Sequence, residues 1–186
     1  MTSCSPAYLN ASLSLVAVGY LLLMYCVGIQ PTHGNWIRNV EGGVLQSDPK
    51  SITGIEITTP NGRQKYKRQN VVWHNALSGS ALTEDNSIVL GKAITFMHTA
   101  APVRVIRPEE FVAADRGLFG VGEGMLDIEF STSAGIVLAV GFGNQANDGI
   151  LRYMQIIGRP EVYLMSGFVG DAWEGVSYFD ASTVHK

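Results

Sequence analysis

Charge is scarce in this chain, and the first 37 positions have none. Asp, Glu, Lys and Arg make up 16% of the 186 residues, against about 25% in an average globular domain. Cysteine is nearly missing as well. Cys4 and Cys26 alone exclude a disulfide-dense scaffold and a cysteine-rich zinc site, and they read as small apolar residues. A basic excess is also lacking, since 13 Lys and Arg stand against 16 Asp and Glu for a net charge of −3. A dedicated nucleic-acid binder usually carries a basic face and a high pI. Neither a G-x-S-x-G elbow nor a Cys/His arrangement for acyl transfer occurs. With 46% apolar residues, the chain is too apolar for disorder. Its length leaves room for one ordinary domain and little else.

Tyr8 to Ile29 is a run of 22 residues dominated by Leu, Val, Ala, Tyr and Met. About 20 mostly apolar residues span the hydrocarbon core as a helix, so the run predicts a transmembrane helix over 8–29. Tyr8 and Trp36 suit the interfaces, and Pro31 ends the helix because it has no N–H to donate. A cleaved signal peptide would show a basic n-region, a shorter apolar core and small residues at the cut. Met1–Ala7 has no Lys or Arg, and Met24-Tyr25-Cys26-Val27 is no small-residue site. The expectation is a permanent single-pass anchor in a bacterial inner membrane. Arg38 and Lys50 lie on the C-terminal side, which by the positive-inside rule leans towards the cytoplasm. The N-terminal-anchor plan common in bacteria, and a C-terminal part free of cysteine, favour a periplasmic domain instead, and that is the expectation. Small residues permit close approach between helices in lipid. Ala11, Ser14 and Gly19, with Ser12 beside them, are therefore candidate partner contacts.

Residues 30–50 read as a juxtamembrane linker, 51–178 as a soluble α+β domain, and 179–186 as a tail. Ile55 and Ile57 alternate with Glu56 and Thr58, a half-buried strand. Pro60-Asn61-Gly62 is a turn, Gln64–Arg68 the returning strand, and Val71–His74 a third. Thr83 caps a helix opened by Glu84 and Asp85, with Leu90, Ile94 and Met97 as its buried stripe. Val103–Ile106 is a short strand, and Pro108 starts a short helix. Leu126, Ile128 and Phe130 begin a second set. It continues through Ile136–Val140, a glycine-rich loop at Gly141–Gly149, Ile150–Ile157, Glu161–Met165, and a last helix with Val169, Trp173 and Val176 on one face. Strand hairpins dominate over two or three short helices, which predicts mainly antiparallel sheet. The repeat suggests two weakly similar units, about 51–115 and 118–178.

The segments "RVIRPEEFVAADRGLFGVG", "MLDIEFS", "GIVLAVGFGN", "RYMQIIG" and "PEVYLMSGFVGDAWEGV" follow one another in an order that resembles the bacterial family called domain of unknown function 4340. The upstream "ITGIEITTPNGRQKYKR" and "VVWHN" are similar to that family's preceding unit. The resemblance covers about 125 of 186 residues. It implies a membrane-anchored extracytoplasmic protein, sometimes beside transporter subunits, and carries over no catalytic residues. "LFGVGEG" departs from the family in lacking the usual Pro after its GL segment.

The candidate sites are few. Gly141-Phe142-Gly143 lacks the following Lys-Ser/Thr and the helix that a phosphate cradle needs. His33, His74, His98 and His185 never occur at i, i+4, so a zinc site would have to converge from distant segments. Asp127 and Glu129 alternate outwards, away from the burial that would split their pKa values. Tyr153, Tyr163, Phe168 and Trp173 read as core. Arg63, Lys65, Lys67 and Arg68 concentrate basic charge in one hairpin, either as a solvated sheet edge or as a contact for anionic headgroups or an acidic partner. The expected function is a non-enzymatic accessory subunit, without cofactor or metal, of a larger membrane complex. Such a complex could be respiratory or photosynthetic, with its integral subunits and the lipid bilayer as partners. An auxiliary binding domain of an ABC-type transporter is the alternative.

Overall fold

The structure, a computed structural model, describes residues 16–23, 42–111, 116–122 and 125–179. The chain divides into two compact units, Met1–Ile37 and Arg38–Lys186. In the first, residues 16–23 form a helix, α1. Among the described residues no helix is long and apolar enough to cross a membrane. This corrects the expected N-terminal transmembrane helix over 8–29 and the fold class that included it. The apolar run measures avoidance of water, which burial against any apolar surface relieves as well as a bilayer does. Beyond α1 the run comprises residues 8–15 and 24–29. Those positions, with Ala11 among them, lie outside the described residues.

The second unit is built on one eight-stranded sheet. Its strands are β1 (Gly54–Thr59), β2 (Gly62–Gln69), β3 (Val72–Asn75), β4 (Arg104–Ile106), β5 (Leu126–Thr132), β6 (Gly135–Gln145), β7 (Leu151–Ile156) and β8 (Val162–Ser166). The order across the sheet is β3-β2-β1-β5-β6-β7-β8-β4, with antiparallel pairing throughout. The two halves read from the sequence join where β1 meets β5, with Ile57 opposite Ile128. They are not self-contained, because β4 of the first half pairs with β8 of the second.

Two helices cover one face. The longer, α2 (Glu84–Thr99), starts where the Thr83 hydroxyl accepts the Asn86 N–H, with Glu84 and Asp85 in its positive first turn. It buries Leu90, Ala93, Ile94 and Met97. The last, α4 (Gly167–Ser177), buries Val169, Gly170, Trp173 and Val176. The helices meet through an edge-to-face contact between Phe96 and Phe168, centroids 5.1 Å apart. Ile55, Ile57, Tyr66, Ile128, Phe130, Val140, Phe142 and Met154 rise from the sheet into one core with them. Phe130 meets Trp173 edge-on at 5.2 Å. Each such side chain contributes roughly 1.5–3 kcal/mol by leaving water.

Residues 42–48, within the stretch read as a linker, are seated on the end of α2. Leu45 is buried, and Gly43 and Leu45 donate their N–H groups to the carbonyls of His98 and Met97. Those carbonyls have no partner inside the helix, so the strap satisfies the helix end.

The Gly141–Gly149 stretch is not a loop at its start, because β6 runs on to Gln145. Phe142 points into the core, and the flanking glycines leave space on the far side. A Cβ at Gly143 would overlap the Phe119 carbonyl and the Gly120 backbone. A short helix, α3 (Arg116–Phe119), crosses the far face there. It is held by the Asn144 amide donating to the Leu118 carbonyl at 3.1 Å, by an edge-to-face contact of Phe119 with Phe111 and by a tilted ring contact of Phe119 with Tyr153.

Candidate functional site: the charged hairpin and the groove beside it

Strand alternation splits the four basic residues of β2. Arg63, Lys65 and Lys67 point away from the helices, while Arg68 shares the helix side with Tyr66 and Gln64. On the open side, Glu56 of β1 lies between Arg63 at 2.9 Å and Lys65 at 2.8 Å. Two of the three outward cations are therefore neutralised within the sheet. Lys67 stands opposite Gly54 and His74. Asp127 and Glu129 extend the open face along β5, Glu129 directly opposite Glu56. In the first unit, Gly19 is exposed on α1 with nothing near its would-be Cβ. Ser14 and Ala11 lie outside the described residues.

Arg68 sits in a different setting. Its guanidinium lies 5.9 Å from the centre of the Trp73 ring, and its Nη1 donates to the Lys50 carbonyl at 3.3 Å. The Nε is covered and has no acceptor among the described residues. Arg68 and Lys50 form one wall of a groove of about 300 Å³, with Trp73 and Val71. The α2 stripe of Glu84, Ser87, Ile88 and Gly91 forms the other. Among the described residues neither Lys50 nor Arg68 has an ion-pair partner. Gly91 lies in the interior of α2, where glycine costs roughly 0.5–1 kcal/mol relative to alanine, yet a Cβ there would touch nothing.

Other ionisable groups that sequence reasoning passed over serve the framework. Arg152 is 8% exposed. The shift in register between Phe142 and Gln145 interrupts the β6–β7 ladder, and Arg152 Nε donates to the Gly143 carbonyl there at 2.9 Å. Its Nη2 reaches Glu174 at 2.7 Å on α4. Gly170 of α4 has no Cβ where the arginine stem passes. The result is a clamp between sheet and helix. The signal was present as the lone charged residue of the strand, with Asp171 and Glu174 three apart on the last helix.

His98 Nδ1 lies 2.9 Å from the Leu45 carbonyl. A carbonyl only accepts, so Nδ1 carries the proton. Glu110 is held below the usual carboxylate range, first by the Arg107 N–H and then by Arg104. Asp148 is lowered by the N–H groups of Leu151 and Ile150. Both are caps of local turns. Among the described residues no three His, Cys, Asp or Glu side chains gather where a metal would sit. His74 and His98 stand on separate elements, and His33 and His185 lie outside the described residues.

No protein-family model, no curated protein and no solved structure matches this chain. The site is therefore read from its own geometry. The groove was not legible in the sequence, because it joins the 49–50 turn, β2, β3 and α2 across more than 40 positions.

Proposed function

We propose that the protein is a non-enzymatic accessory subunit of a larger, membrane-associated complex. The observation that carries this is α1. Val16, Val18, Tyr20, Leu21, Leu22 and Leu23 are all more than half exposed on α1. A contiguous exposed apolar surface of this kind marks a site that another protein or a membrane covers. A helix so apolar is stabilised by whatever covers it, either an integral partner or the apolar part of a bilayer. The reading does not require it to cross. The framework roles of Arg152, His98, Glu110 and Asp148 support the non-enzymatic part, since these partnered groups tie elements together rather than converge in a cleft.

Copurification of the tagged full chain from detergent-solubilised native membranes tests the proposal. Defined partner subunits should accompany it in fixed ratio, and Leu21→Ser, Leu22→Ser and Leu23→Ser together should release them while the second unit keeps its thermal transition. A chain that purifies alone and monodisperse without detergent overturns it.

A further inference from the structure

We propose that the groove between α2 and the β2–β3 hairpin is a docking site for a partner segment that carries apolar side chains next to a carboxylate. The inference rests on the subunit reading above and gives that subunit a second, polar point of attachment.

Three features of the groove point the same way. Its walls are apolar where they can bury a side chain: Trp73 forms part of one wall and Ile88 part of the other. At its rim Val71 is 78% exposed and Ile88 49%, unusual for β-branched residues on opposite sides of one cleft unless something covers them. Its charge is unbalanced. Among the described residues Lys50 and Arg68 stand together on one wall without ion-pair partners, against Glu84 alone on the other. A guanidinium backed by an aromatic face is a carboxylate receptor held in place. The groove is also kept open. Gly91 faces it from the interior of a 16-residue helix, where alanine would fit sterically and favour the helix. The missing methyl group is space that an incoming side chain can use.

A chain segment suits this cleft better than a small enclosed ligand, because the apolar rim lies outside the cavity and is covered only by something that extends past it. The carboxylate belongs on the Lys50 and Arg68 wall, and the apolar side chain over Gly91 and Ile88.

The test uses the full chain in detergent and two acetylated, amidated pentapeptides, Leu-Glu-Leu-Leu-Glu and Leu-Gln-Leu-Leu-Gln. Binding is followed by amide and indole NMR shifts. The glutamate peptide should shift Gly91 and the Trp73 indole and bind about tenfold more tightly than its glutamine counterpart, the ratio expected of one charge-assisted contact. Lys50→Gln, at an exposed position, should reduce that ratio, and Gly91→Phe should abolish binding while leaving the thermal transition in place. Equal affinity for the two peptides, shifts that avoid Gly91 and Trp73, or undiminished binding to Gly91→Phe would each overturn the proposal. Octanoate shifting the same signals at lower concentration than the peptide would also overturn it, in favour of a small amphipathic ligand. If Gly91→Phe retains every native partner in the copurification, the groove fails and the subunit reading stands. If the unaltered chain has no partner, the subunit reading fails first.

Discussion

The two faces of the sheet are made by the same strands and obey opposite rules. β1 sends Ile55 and Ile57 to one side and Glu56 and Thr58 to the other. β5 sends Ile128 and Phe130 one way, Asp127 and Glu129 the other. The helix-covered face holds fully buried aromatic and aliphatic side chains under α2 and α4. The opposite face, beyond the part under α3, is an open lattice of ions around Glu56. Stability is therefore concentrated on one side. Substitutions on the other side are free to alter contacts without unfolding the domain.

The comparison breaks most sharply at Trp173, which is fully buried and meets Phe130 edge-on. Trp173→Ala should lose about 3–5 kcal/mol in urea unfolding. A loss below about 1 kcal/mol would mean that the covered face is not the seat of stability.

Arg152→Met comes next. It keeps a stem against Phe142 but strands the Gly143 carbonyl, and should cost about 1–3 kcal/mol. Asp171 and Glu174 are about half exposed and can return to water. A neutral result in the same unfolding experiment would reduce the clamp to an incidental contact.

Glu56→Gln tests the open face. Arg63 and Lys65 are 67% and 46% exposed, and pairs of that kind are worth about 0–1 kcal/mol. The midpoint should barely move, and what movement there is should vanish in high salt. A shift as large as that of Arg152→Met would erase the distinction between the faces.

The smallest effect concerns acid. Glu110 and Asp148 are deprotonated more readily in the folded chain than their ordinary values allow. Their contribution is complete above the unfolded pKa and fades as pH falls through the lowered folded one. Amide exchange should quicken at residues 107–110 and 148–151 below the ordinary carboxylate range, with the global transition little changed. Uniform protection across that range would contradict the capping role.

Much of the sheet could be read from alternation, because a half-buried strand writes its two faces into every second residue. Leu126, Ile128 and Phe130 are buried, as are Leu90, Ile94 and Met97 at helical spacing. Alternation did not reveal which strands are neighbours, so the seating of β4 beside β8 went unseen. It was silent where glycine removes the side chain, as at Gly141 and Gly143, where a strand resembled a loop. The basic hairpin was read as one patch, although the same period of two should have separated Arg68 from Arg63, Lys65 and Lys67. The apolar run at 8–29 was read as a membrane span from its polarity, and polarity does not distinguish a bilayer from any other apolar cover. Of the candidate site, only Arg68 was singled out, since Lys50, Trp73 and Gly91 meet it through tertiary packing.

The pairing of β4 with β8 has a consequence in time. Arg104 lies opposite Leu164, sixty positions further along the chain. At a synthesis rate of roughly 5–20 residues per second, β4 waits about 3–12 s for its strand partner. Through that interval it is a three-residue strand between Pro102 and Pro108, too short and too interrupted by proline to recruit a neighbouring chain. The sheet closes at this edge only when β8 has been made, so a nascent chain that stops before residue 162 is left with β4 unpaired.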